Sequence, residues 1–174
     1  MKKLVLIGYM GCGKSLISKE LSLETEIKYI DLDEVIEKKS KKSIEELFKF
    51  KGELYFRKVE NELLNEILNA NKSLILSTGG GTPCYYNNIE IINNPDTISV
   101  YLKASIETLY ERLVLEKGKR PLISNFENSD LKEFIAKHLF ERSFYYNQAK
   151  YILNVDAKSS KEIVTELKNI IYSK

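Results

Sequence analysis

The chain has 174 residues, enough for one domain with a sizeable core, and its 27 basic and 25 acidic side chains leave a net charge of +2, too small to imply a nucleic-acid or membrane partner. No run approaches ~20 continuous apolar residues, so no membrane span is expected, and the two lysines at the N-terminus lead into a strand pattern with no small-residue cleavage site, not a signal peptide. The two cysteines, Cys12 and Cys84, read as free thiols of a reducing, cytoplasmic compartment, because a disulfide at Cys12 would obstruct the loop it lies in.

Residues 4–7, Leu-Val-Leu-Ile, form an apolar run that reads as a buried strand. Gly8-Tyr9-Met10-Gly11-Cys12-Gly13-Lys14-Ser15 follows at once, and a helical pattern over 14–23 carries Leu16, Ile17 and Leu21 on one face. Strand, G-x-x-x-x-G-K-S and helix in that order predict a phosphate loop. Glycines let backbone N–H groups wrap a polyphosphate, and the helix points its positive end at the same anion. Lys14 would reach the β- and γ-phosphates, and the Ser15 hydroxyl would ligate Mg²⁺.

Strand and helix patterns then alternate. Residues 27–31 form a second strand ending in Asp31-Leu32-Asp33, and a helix is expected from 33 to about 39. Alone, Asp33 reads as the cap of that helix. Opposite a phosphate loop, one carboxylate of the pair can instead face Mg²⁺ through water and the other a substrate hydroxyl. Ser43 and Glu46 make a capping box for a helical stretch over 44–69, broken near Lys51-Gly52. Arg57 lies in that stretch. Its fork suits a carboxylate ligand, but the local sequence equally admits a surface pair with Glu53 or Glu60.

Residues 73–77 form a third strand, closed by Thr78-Gly79-Gly80-Gly81. Three glycines in a row cost entropy and suit a place where backbone approaches a small ligand closely. Residues 97–102 form a fourth strand and 105–117 a helix. The aperiodic segment 118–130, with Arg120-Pro121-Leu122, reads as a loop whose cation and position suggest a lid over the transferring group. Residues 131–146 are helical and carry Arg142 near their end, 151–155 form a fifth strand, and 161–172 a last helix. The lone histidine, His138, reads as structural, with no metal site or triad around it.

Near-continuous apolar strands separated by helices predict a parallel sheet covered on both faces, with ligands bound beyond the carboxyl ends of the strands. Gly8–Ser15, Asp31 and Asp33, and Gly79–Gly81 all fall there, so three distant segments converge on one cleft.

Together, G-Y-M-G-C-G-K-S, D-L-D, G-E-L-Y-F-R-K-V-E, T-G-G-G, R-P-L-I and E-R-S-F-Y-Y-N-Q-A, in this order, resemble the shikimate kinase family of P-loop proteins, from Leu4 to about Ala149. The resemblance implies a three-layer α/β/α fold with a five-stranded parallel sheet of order 2-3-1-4-5. It implies a single domain over 1–174, with a substrate-binding helical region at about 33–65 and a mobile lid at about 117–130. The implied reaction is ATP-dependent phosphorylation of the shikimate 3-hydroxyl, a step of aromatic amino-acid synthesis.

In that reading Gly11, Cys12, Gly13, Lys14, Ser15 and Leu16 bind ATP, and Arg112 packs on its adenine. Lys14 and Arg120 stabilise charge on the transferred group. Asp33 meets the substrate hydroxyls. Arg57 and Arg142 hold the carboxylate, and Gly79, Gly80 and Gly81 lie against the ring. Ser15, with Asp31 through water, holds Mg²⁺, and a monomer is expected.

Five positions depart from the usual pattern: Leu16 for threonine, Ser18 and Lys41 for glycine, Ile123 for leucine in the lid, and Phe144 for proline. Of these, Phe144 bears on the placement of Arg142. The loop after Val155 has no matching arginine, and Lys158 is the residue there with a suitable charge. A gluconate-type kinase and a non-catalytic nucleotide switch are the competing readings. The triple glycine and paired arginines argue against the first, and the full acceptor-side set against the second.

Overall fold

Five short segments pair side by side into one all-parallel sheet: β1 (Lys3–Ile7), β2 (Tyr29–Asp31), β3 (Leu74–Ser77), β4 (Thr97–Lys103) and β5 (Tyr151–Asn154). Their order is β2-β3-β1-β4-β5, as expected. The computed structural model describes residues 3–116, 123 and 126–173. Eight helices occur among them: α1 (Lys14–Thr25), α2 (Leu32–Ser40), α3 (Ile44–Lys51), α4 (Glu53–Asn69), α5 (Asn88–Ile92), α6 (Ile106–Glu116), α7 (Asn128–Tyr146) and α8 (Ser160–Tyr172). No described helix is long and apolar enough to cross a membrane.

β1 is the central strand. It registers Leu4 against Ile75 on one side and Ile98 on the other. All four residues of β3 and four of the five in β1 are buried, which requires cover on both faces. That cover thins at one edge. Tyr151 and Ile152 of β5 are exposed, because a fifth strand has a neighbour on one side alone.

Local chemistry sets the helix boundaries. The Ser43 hydroxyl accepts from Glu46 N and the Glu46 carboxylate accepts from Ser43 N, so the expected capping box starts α3. Gly52 divides α3 from α4 at the expected break. α2 begins one residue earlier than expected, and its cap is Asp31, not Asp33: Asp31 Oδ1 accepts from Asp33 N at 3.0 Å. Lys41 ends α2 at φ 52°, the left-handed conformation that glycine adopts without strain, which explains why glycine suits this position. α7 starts at Asn128, so the end of the segment expected to be a loop is its first turn. The one-turn 3₁₀ helix Thr82–Cys84 and α5 lie where periodicity was too short to register.

The buried face of α1 also differs from expectation. Leu16 is 57 % exposed, whereas Lys14, Ile17, Ser18 and Leu21 face inward. Among the described residues, Ser18 Oγ is the buried side-chain polar atom with no hydrogen bond. A buried orphan hydroxyl costs about 1–3 kcal/mol, and serine is a weaker helix former than alanine. Ser18→Ala should therefore stabilise the protein and raise Tm by about 2–4 °C. A lower or unchanged Tm in a thermal melt would show that the hydroxyl is satisfied.

Candidate active site

The loops after β1, β2 and β3 open on one cavity of about 1110 Å³. It reaches from Gly11–Ile17, past Asp31 and Asp33, to Arg57, Gly79–Gly81 and Arg142, with Arg112, Lys158, Ser160 and Ile163 also on its wall. Every site residue expected from the sequence lines this cavity except Arg120, which lies outside the described residues together with most of the expected lid.

On the phosphate side, the loop between β1 and α1 holds its lysine close. Lys14 Nζ donates to Gly8 O at 2.8 Å and Tyr9 O at 3.0 Å. Arg112, on α6, reaches across to donate to Gly11 O and Cys12 O at 3.2 and 3.3 Å, tying α6 to the loop. Leu16 lies at the cavity wall, consistent with its exposure. Lys158 pairs with Glu166 at 2.6 Å.

Ser15 Oγ donates to Asp31 Oδ2 at 2.8 Å, and Tyr29 OH donates to the same oxygen at 2.9 Å. A hydroxyl and a carboxylate side by side form a hard-oxygen donor pair, which fits Mg²⁺. That ion retains several waters and takes one or two protein oxygens plus substrate phosphates. Among the described residues no cluster of three or more His, Cys, Asp or Glu exists to hold a metal by itself, so phosphate oxygens and water would have to complete the shell.

The far side of the cavity is built around α4. Arg57 is mostly buried and does not choose between its two readings: it pairs with both acidic neighbours and also faces the cavity. Its NH1 donates to Glu60 at 2.9 Å and its Nε to Glu53 at 3.3 Å. The Tyr85 ring lies 3.9 Å from the guanidinium carbon, and Tyr85 OH donates to Glu53 at 2.8 Å. Glu60 is 0 % exposed and also accepts from Thr82 Oγ1 at 2.7 Å. These contacts orient the arginine fork. The sequence signals Glu60 only through its helical spacing from Arg57, and Tyr85 not at all.

The glycines are explained by what crowds them. A Cβ on Gly81 would lie 2.6 Å from Arg57 NH2, and one on Gly79 would lie 2.9 Å from Asp33 Oδ1. Side chains there would displace Arg57 and Asp33. Gly80 O accepts from Tyr146 OH at 2.6 Å, which fixes the end of α7 and so the height of Arg142. Phe144 is 72 % exposed, so its replacement of proline faces solvent and leaves Arg142 on the cavity wall.

Burial, together with the carboxylates of Asp31 and Glu60, pushes Asp33 up from 3.8 to about 6, against the opposing pull of Lys14 and Arg57. At pH 7 it is mostly ionised and able to accept from a hydroxyl. Protonation removes the charged acceptor and the place for the hydroxyl proton, so kcat/KM for the acceptor should fall about tenfold per unit below pH ~6. The folded state binds this proton more tightly than the unfolded state, so Asp33 costs stability as pH rises from about 4 to about 6. Asp33→Asn should abolish the acid limb, lower activity, and raise Tm at pH 7–8. An unchanged limb in pH–rate profiles would assign it to another group.

The shikimate kinase family model matches residues 10–172. The chain belongs to the shikimate kinase family. Among relatives, the shikimate kinase of Flavobacterium johnsoniae is 53 % identical over 98 % of this chain and 99 % of its own. The crystal structure of shikimate kinase from Bacteroides thetaiotaomicron superposes with a TM-score of 0.90 at 34 % identity, covering 97 % of each chain. Shikimate kinase from Acinetobacter baumannii, solved in complex with shikimate, gives 0.87 at 29 % identity over 98 % of this chain and 93 % of that one. The family match thus runs through β5 and α8, beyond the stretch that the motifs alone covered.

Proposed function

We propose that the chain transfers the γ-phosphoryl group of ATP to the 3-hydroxyl of shikimate, releasing ADP and shikimate 3-phosphate. The observation that carries this reading is the shared cavity. Lys14 and Ser15 stand on its phosphate side, Arg57 and Arg142 on its acceptor side, and Asp33 is close to both sets. A nucleotide switch needs no second anion grip, and family membership favours shikimate over gluconate.

In this reading the backbone of 11–15 wraps the β- and γ-phosphates, and Arg112 packs on the adenine. Arg57 and Arg142 take the acceptor's carboxylate, and the Gly79–Gly81 backbone meets its ring. Asp33 accepts a hydrogen bond from the reacting hydroxyl and turns its oxygen toward the γ-phosphorus. The new O–P bond forms as the β–γ bridge breaks. The hydroxyl proton passes late, after much of the bond breaking, to the Asp33 carboxylate that holds it and from there to water, since a loose transition state asks little of a base. Lys14 offsets charge on the equatorial oxygens, with Arg120 assigned to the same task. Ser15, and Asp31 through water, would hold Mg²⁺, which when bound neutralises phosphate charge. All these groups come from one chain, which supports a monomer as the working unit.

The test is ADP formation from Mg-ATP with shikimate, gluconate or no acceptor. ADP release dependent on shikimate, with a matching phosphorylated product, is expected. Turnover with gluconate alone would overturn the acceptor assignment, and slow hydrolysis indifferent to both would favour a switch.

A further inference from the structure

Tyr9 is the first of the four unspecified residues of the phosphate loop, yet it is 1 % exposed and three functional elements meet on it. Its carbonyl accepts from Lys14 Nζ at 3.0 Å. The Arg142 guanidinium carbon lies 5.7 Å from its ring centroid. Its hydroxyl lies 3.3 Å from His138 Nδ1. Burial pushes the Tyr9 hydroxyl up to about 12, so it keeps its proton and donates. Burial and the nearby Arg142 charge push His138 down, which favours the neutral ring whose Nδ1 can accept.

His138 and Arg142 are four residues apart on α7, hence on one face of it, and both reach the same tyrosine. His138 is itself held from behind. The Phe134 ring packs against it in a tilted pair with centroids 4.3 Å apart, and Phe126 packs in the same way against Phe134 at 4.5 Å. Met10, Arg142 and Lys14 line the cavity, whereas Tyr9 and His138 stand behind that wall. A buried tyrosine needs a partner for its hydroxyl. Here the partner sits on the helix that carries the acceptor-gripping arginine.

We infer that Tyr9 and His138 are positioning residues for Arg142: the hydrogen bond to His138 fixes the Tyr9 ring, and the face of that ring holds the guanidinium toward the acceptor. The inference rests on Arg142 being a carboxylate grip, as proposed above. The phosphate loop thereby sets the geometry of the acceptor side through a side chain that touches neither substrate. Its hydroxyl oxygen contributes nothing to phosphate binding, so its value lies in acceptor affinity.

The experiment compares steady-state kinetics of the full chain with those of Tyr9→Phe, His138→Leu, His138→Gln, Arg142→Ala, and Arg142→Ala combined with each of the first two. Tyr9→Phe and His138→Leu should raise the shikimate KM about threefold to tenfold, with kcat and the ATP KM within about twofold. His138→Gln, whose amide can still accept from Tyr9, should recover most of that loss. In the Arg142→Ala background neither change should add a further penalty. Tyr9→Phe removes a single oxygen, so it carries the test should His138→Leu fail to fold. An unchanged shikimate KM, a parallel loss in both substrates' KM, or an equal penalty with and without Arg142 would overturn the inference while leaving the Arg142 assignment intact. A normal shikimate KM in Arg142→Ala itself would instead remove that assignment, and the inference with it.

Discussion

Lys14→Ala should lower kcat by about 10²- to 10³-fold, a loss of about 3–4 kcal/mol of transition-state stabilisation. The lysine is only 8 % exposed, and its ammonium is held by the Gly8 and Tyr9 carbonyls within reach of the cavity. A preorganised cation in a water-poor site needs no reorganisation as charge moves onto the phosphoryl oxygens. Alanine removes that charge and leaves the buried Gly8 and Tyr9 carbonyls without the ammonium that donates to both. Lys14→Arg should not rescue activity, because a planar fork cannot occupy the compact site that an ammonium fills. Initial rates at saturating ATP and shikimate decide the matter. Turnover above a tenth of the parent's would remove Lys14 from the transition state.

Arg57→Ala should raise the shikimate KM by about a hundredfold or more and leave ATP affinity nearly unchanged, as expected for loss of a charge-assisted bidentate contact. It should also destabilise the fold, because Glu60 is 0 % exposed and would lose its cationic partner. Stranding a buried charge costs about 3–5 kcal/mol. The two effects separate in Arg57→Ala/Glu60→Gln. Glutamine keeps an oxygen for Thr82 and carries no charge, so Tm should recover while the shikimate KM stays high. Calorimetric titration of the two variants with ATP and with shikimate reads both affinities. Weakened ATP binding with normal shikimate binding would mean that the acceptor site lies elsewhere.

The strands and the cavity-lining positions were legible in sequence because each was written locally, whereas the order of the strands in the sheet followed from the family resemblance. Apolar runs marked strands, glycine spacing marked the phosphate loop, and Ser43 with Glu46 marked a helix start. What escaped was what depends on three-dimensional neighbours. Leu16 looked like a core residue by periodicity, but α1 turns Ser18 inward in its place. Asp31 was assigned to metal alone, yet it also caps α2, because its second oxygen is free to meet Asp33 N. Tyr85 and Tyr146 gave no local signal, since they act on residues 28 and 66 positions away in the chain. His138 read as structural, and its partner gave no local signal because it is in the phosphate loop 129 residues earlier.

The position of β1 also governs when the nucleotide site can exist during synthesis. The strand that bears the phosphate loop is made first, but its two neighbours are residues 74–77 and 97–103, and α1 packs on α8 at residues 160–172. Such pairings across long stretches of chain form late, after the entropy of closing those loops has been met. A nascent chain therefore exposes its glycine-rich segment long before that segment can hold an anion. ATP affinity measured on ribosome-stalled chains of increasing length should stay low past β4 and rise as α8 emerges, so that nucleotide capture signals a completed fold.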